Sequence, residues 1–215
     1  MKHIVAVNAG PRKKWNTAQM IAAACEGAQE AGASVESFNR FDLEKFSGCI
    51  SCFGCKLEKN LGRCVCKDGL AKVLEAIRTA DGLIIGTPNY LGDGTAEYRA
   101  LYERLIFQYI TYKAEIKSYN DRPIPVLFIM TSNAPDEAYE PGGYYHDMIG
   151  KYQQTFSSFI GPTEVITVGS TKQVNDYPRY NWTMFDPDSR IERYEKVVPQ
   201  RLQLAREAGA ALVEG

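Results

Sequence analysis

Short apolar runs alternate with stretches of helical periodicity along these 215 residues, and few architectures satisfy both periods in turn. His3 to Ala9 carries Ile4, Val5 and Val7 and stops at Gly10-Pro11, which suits a strand buried on both faces. Residues 17–31 set Met20, Ile21, Ala24, Cys25 and Ala28 at helical spacing, with Gly32 as the stop. A second strand is expected from Ser34 to Phe41, a helix over 69–80 through Leu70, Val73, Leu74 and Ile77, and a third strand from Gly82 to Thr87. A long helix follows near 95–117, with Leu101, Leu105, Tyr109 and Tyr112 on its inner face. Strands at 124–131 and 164–168 flank a helix at 147–160. Ser189-Arg-Ile-Glu192 reads as a capping box opening the last helix, which Pro199 would kink or restart.

Such a series predicts an α/β sandwich of three layers, a five-stranded parallel sheet covered by helices through right-handed crossovers. In the strand order 2-1-3-4-5 the switch point falls between the first and third strands, where ligands bind in folds of this kind. The length suits one domain, residues 1–215, with a cysteine-rich insertion near 42–68 and a long loop near 170–188. A further long connection, 132–146, is also expected to cover a site or an interface. Tyr177, Tyr180, Trp182 and Phe185 argue that the last loop packs rather than wanders.

The loops at the expected switch point carry the most chemistry. Asn8-Ala-Gly-Pro-Arg-Lys-Lys-Trp-Asn-Thr17 leads from a strand into a helix N-terminus, where unpaired N–H groups and the helix dipole favour a phosphate. Gly10 permits close backbone approach, Arg12, Lys13 and Lys14 add charge, and Asn16 and Thr17 add polar groups. Trp15 is read either as a cover for the site or as an exposed side chain. No Gly-Lys-Ser/Thr ending and no Gly-x-Gly-x-x-Gly is present. Thr87-Pro-Asn-Tyr-Leu-Gly92 leaves the third strand. Pro88 restrains it, Tyr90 can lie on a flat ring, and Gly92 lets backbone amides come close. Thr131, Ser132 and Asn133 end the next strand at the same edge.

Cys49-x-x-Cys52-x-x-Cys55 is followed after eight residues by Cys64-Val-Cys66. Three readings stay open: thiolates on an iron–sulfur cluster, a zinc site, or reduced thiols on a loop that can form a redox disulfide. Cys25, on a helix with Ile21 and Ala28, reads as a core residue. His3 and His146 read as packing or surface groups, and no catalytic acid–base or nucleophilic set is assigned.

The first loop resembles the Gly-Ser-Pro-Arg-x-x-Gly-Asn-Thr segment of flavodoxin-like NAD(P)H-dependent FMN reductases, a group that includes iron–sulfur flavoproteins. Gly10 stands in place of a serine and Trp15 in place of a glycine. The second loop resembles the Ser-Pro-x-Tyr-x-Gly segment of the same family, and the likeness runs in order over roughly residues 3–170. It implies a flavodoxin-like fold and FMN, with Gly10, Arg12, Asn16 and Thr17 on the phosphate and Pro88, Asn89, Tyr90, Leu91 and Gly92 on the isoalloxazine. Asp93 would then set a carboxylate near the ring and disfavour an anionic reduced flavin. The cysteine run looks like the compact motif of iron–sulfur flavoproteins, with a longer gap before its last member; Cys49, Cys52, Cys55 and Cys64 are the candidate ligands, with Cys66 an alternative fourth.

These resemblances imply an oxidoreductase moving electrons from NAD(P)H through FMN to a quinone, a flavin, a small oxidant or a protein. The competing expectations are an electron carrier fed by a ferredoxin-like donor and a flavin-free interaction module. A homodimer or homotetramer is expected. A net charge of −1 argues against nucleic acid, and no apolar run approaches the roughly 18–20 residues that span a bilayer. The opening residues lack a signal-peptide pattern, so a cytoplasmic location is the expectation.

Overall fold

Strand β1 (His3–Asn8) lies between β2 (Ser34–Asn39) and β3 (Gly82–Pro88), and β4 (Val126–Thr131) and β5 (Thr163–Val168) extend the sheet beyond β3. All four pairings are parallel, giving the flavodoxin-like order β2-β1-β3-β4-β5. The protein is described by a computed structural model over residues 1–214.

Alternation along the central strands sends side chains to two cores. Val5, Val7, Leu83, Ile85, Val126 and Phe128 face α2 (Ala71–Thr79), α3 (Ala96–Tyr109) and α4 (His146–Phe159). Ile4, Ala6, Ile84, Leu127 and Ile129 face α1 (Asn16–Glu30) and α5 (Pro187–Glu214). Being buried on both sides, β1, β3 and β4 read as continuous apolar runs. The helices α1 and α5 meet along small residues, Ala24, Ala28, Ala205 and Ala208. Their backbones come so close that a Cβ on Gly27 would stand 1.8 Å from Arg206 O, and one on Gly209 1.9 Å from Ala24 O.

Several boundaries differ from the sequence expectation. Helix α3 ends at Tyr109 rather than near 117, because Ile110 forms an antiparallel bridge with Ser118. Lys56 Nζ also donates to the carbonyls of Gln108 at 3.2 Å and Ile110 at 2.6 Å. Tyr112 thus lies beyond the helix and is 69% exposed. Strand β2 stops at Asn39, and residues 40–42 form a single tight turn.

Helix α5 is not opened by a capping box at Ser189. Asp186 caps it instead, accepting from the Ser189 N–H at 2.9 Å, and Pro187 takes the first helical position, where no N–H partner is needed. The helix runs through Pro199 without restarting, and its following half is held by the packed seam with α1.

Candidate functional site

A cleft opens at the C-terminal edge of β1, β3 and β4, at the switch point of the sheet. Gly10, Arg12, Asn16, Thr17, Pro88, Asn89 and Tyr90 all line it, as do Thr131, Ser132 and Asn133. Leu91 and Gly92 stand outside that lining. The Gly92 N–H donates to Asn89 Oδ1 at 2.9 Å, and Leu91 is fully exposed, lining the pocket next to the cleft.

The walls are pinned by buried polar contacts that the motifs did not announce. The Gly10 N–H donates to Asn8 Oδ1 at 3.0 Å, which sets the loop leaving β1. Thr95 caps α3 by accepting from the Tyr98 N–H, while its hydroxyl donates to Ala9 O at 2.9 Å. Thr17 and Thr131 share a hydroxyl hydrogen bond of 2.7 Å that ties α1 to the end of β4. Asn89 Nδ2 donates to the Tyr139 hydroxyl at 2.8 Å and so fixes the second loop from beyond the sheet. These residues are ordinary threonines and asparagines in sequence; only the sheet brings them together.

The start of α1 is left open. The N–H groups of its first turn have no intrahelical acceptor, no side chain caps the helix, and no acidic residue stands in that turn. A Cβ on Gly10 would come within 3.1 Å of Asn8 Oδ1 and 3.4 Å of Thr17, so this wall is drawn in as far as a residue allows. Asn16 Oδ1 is enclosed without a donor, a position suited to a ligand hydroxyl.

Trp15 lines the cleft; its indole N–H donates to Lys172 O at 3.0 Å, and Arg12 lies 4.7 Å over its ring. Burial lowers the Arg12 pKa, against the influence of Tyr90 and Tyr180. Lys13 is turned away and paired with Asp42. Asp93 is turned away as well, accepting from the Tyr152 hydroxyl and standing 3.8 Å from Arg99, so it does not set a carboxylate in the cleft lining.

The loop after β5 supplies Thr171 and Gln173 to the cleft, which sequence reading did not single out. Lys172 O accepts from Asn16 Nδ2 at 2.8 Å and Gln173 O accepts from Arg12 Nη1 at 2.5 Å. Tyr177, Tyr180, Trp182 and Phe185 pack on one another just beyond, with Tyr180 and Trp182 stacked at 4.7 Å.

A narrow second chamber is lined by Cys49, Cys52, Cys55, Cys64 and Cys66 together with Phe53, Val65, Phe107, Arg104 and Gln108. All six cysteines of the chain are free, Cys25 lying apart on α1. Ser51 and Phe53 adopt left-handed φ values of 52° and 55°, so the loop is wound more tightly than its residues prefer. Helix α3 holds it: Arg104, with a side chain 1% exposed, pairs with Asp68 at 2.7 Å, and Gln108 Oε1 accepts from the Cys64 N–H at 3.0 Å. Burial and then the neighbouring Cys64 push the Cys66 thiol up to about 11, and burial also raises Cys55. Five crowded thiols suit a soft cation that displaces their protons, while the unpartnered Gln108 Nε2 is a donor suited to a thiolate rather than to the cation. Among the described residues, however, no three ligating side chains already converge on one metal position.

An uncapped helix start and a constrained loop facing one cleft, at the switch point of a parallel sheet, are the arrangement of the doubly wound α/β class. Residues 2–138 match the NADPH-dependent FMN reductase family, and the chain belongs to it. It is 31% identical over 103 residues to an iron-sulfur flavoprotein of Methanosarcina thermophila, covering 48% of this chain and 52% of that one. Likeness to an iron-sulfur flavoprotein of Methanocaldococcus jannaschii is 31% over 101 residues, 47% and 50% of the two chains. The chain thus matches about half the length of these relatives.

Among solved structures, an NAD(P)H:quinone oxidoreductase from Methanothermobacter marburgensis superposes with a TM-score of 0.71 at 17% identity, over 98% of both chains. An FMN-dependent NADH-azoreductase from Bacillus anthracis, in complex with FMN, gives 0.68 at 12% identity, over 99% of this chain and 100% of that one. At such identities these two speak for the fold. Among the described residues no helix is long and apolar enough to cross a membrane.

Proposed function

We propose that this chain is an FMN-dependent oxidoreductase that takes electrons from NAD(P)H and passes them to a quinone, a flavin or a small oxidant. The observation that carries this reading is the uncapped start of α1 opening into the same cleft as Pro88, Asn89 and Tyr90. Gly10, Arg12, Asn16 and Thr17 would hold the phosphate; Pro88 to Tyr90 would lie along the ring, with Leu91 and Gly92 shaping the turn. When bound, FMN supplies a ring that accepts a hydride and gives up electrons singly or in pairs. The chain's own contribution is positioning: Thr95, Thr17 and Asn89 lock the two loops, and Tyr90 shields one side of the slot. No side-chain acid or base is required of it. Family membership supports the reading, as do the names of its structural neighbours.

The direct test is the visible spectrum of protein purified without air, followed by addition of NADH or NADPH. Flavin bands near roughly 375 and 450 nm that bleach are the expected result. A colourless protein that ignores added FMN refutes the proposal.

The five-cysteine chamber favours a second reading, an electron carrier in which Cys49, Cys52, Cys55 and Cys64 ligate a [4Fe–4S] cluster. Its relatives' names support this. Stoichiometric iron and sulfide, with bleaching by a ferredoxin but not by NAD(P)H, would establish it. A homodimer or homotetramer in the cytoplasm fits either reading.

A further inference from the structure

Another, open pocket adjoins the cleft and shares Asn89, Ser132 and Asn133 with it. Its lining is rich in aromatic rings, Tyr144 and Tyr145, edge to face at 4.5 Å, and Phe185, beside the exposed Met184 and Leu91. The lining contains no carboxylate and one cation, Arg190. Arg190 Nη1 is enclosed without a hydrogen-bond partner, and the guanidinium lies 4.9 Å over the Phe185 ring.

Among the described residues Arg190 forms no ion pair: Asp188 stands two residues before it on the same turn without pairing to it, Glu192 pairs with Lys196, and the other nearby carboxylates are committed. Asp186 caps α5, and Asp136 pairs with Arg193 and Arg201 while accepting from the Gly169 N–H at 2.6 Å. An arginine always carries its charge, and an enclosed guanidinium nitrogen left without an acceptor is costly. Aromatic walls call for a flat apolar body, and the stacked arginine calls for an anion at its edge.

We infer that this cavity binds a planar aromatic group bearing an anionic substituent, held by Arg190 beside the flavin slot. This rests on the proposed FMN reading and narrows the substrate class. Such a group belongs either to an acidic quinone-type acceptor or to the nicotinamide nucleotide donor, and the two sources are separable.

The test is calorimetric titration of the FMN-loaded protein with anthraquinone-2-sulfonate, with its neutral twin 2-(hydroxymethyl)anthraquinone, and with NAD⁺ and NADP⁺. The wild type is expected to bind at least one anionic ligand, with the sulfonate about tenfold tighter than its twin if the acceptor is the source. Arg190→Gln should abolish that preference, or weaken a nucleotide about tenfold if the donor is the source, while leaving the neutral twin within twofold. Arg190→Lys should restore part of the loss, which a merely structural role would not.

Equal binding of the two anthraquinones by wild type, together with nucleotide binding unmoved in Arg190→Gln, overturns the inference. So does a wild type that binds none of the ligands. Retention of FMN, read from the flavin absorbance of the same samples, separates this failure from failure of the flavin reading.

Discussion

Substituting Gly209 by alanine tests whether the α1–α5 seam is as tight as it looks. The added methyl would sit 1.9 Å from Ala24 O, a backbone atom that cannot swing aside. Restoring an ordinary separation of about 3.2 Å requires the helices to part by about 1.3 Å, enough to forfeit a large share of the dispersion along the seam. Overpacking of this kind costs about 3 kcal/mol at the upper end, while the better helix propensity of alanine returns about 1 kcal/mol. The net expectation is a loss of about 2 kcal/mol. Gly150, inside α4 with nothing within 4 Å of its would-be Cβ, is the internal control. There alanine should stabilise by up to about 1 kcal/mol. Urea unfolding of both variants and wild type, all in the same FMN state, reads the two effects. Equal or greater stability of the Gly209→Ala protein would refute the reasoning.

Arg12→Ala should weaken FMN binding on the order of ten- to hundredfold, the worth of a charge-assisted contact, as measured by quenching of flavin fluorescence. Cys55→Ser with Cys64→Ser should reduce bound iron to background while FMN is retained; iron unchanged in that double variant would remove the chamber as its site. Asp68→Ala leaves Arg104 buried without its partner and should cost about 3 kcal/mol, largely recovered when Arg104→Met is added; no recovery would assign the loss to packing. Burial pushes the Cys25 thiol up to about 11 from 9.0, so above about pH 9 the unfolded chain loses this proton first and stability falls through pH 11. Cys25→Ala should remove up to about 2–3 kcal/mol of that alkaline decline, measured as the difference between the two pH profiles.

The sheet was legible because its central strands are buried on both faces and therefore written as uninterrupted runs such as Leu83-Ile84-Ile85. That Gly10, Asn16, Thr17 and Pro88 share one cleft was legible because a helix start and a constrained turn leave a local mark. Asn8, Thr95 and Tyr139 left none: their roles exist only once β1, α3 and the loop after β4 are adjacent. The strap at Thr171 and Gln173 was hidden for the same reason, its carbonyls being invisible in any sequence. Ser189-Arg-Ile-Glu192 misled because Asp186 with Pro187 offers the better cap three residues earlier. Tyr112 misled because helical spacing continued after the chain had turned at Ile110.

The cysteine loop and α3 are mutually obligate parts. Lys56 from the loop closes the carbonyl end of the helix, Asp68 neutralises its buried Arg104, and Gln108 in return fixes Cys64. The other end of the same helix carries Thr95, about 21 Å away along the axis, which holds the loop leaving β1. The insertion therefore cannot be exchanged as a cassette. Shortening it would leave Arg104 buried without Asp68 and Gln108 without the Cys64 N–H, so those two positions would have to change with it.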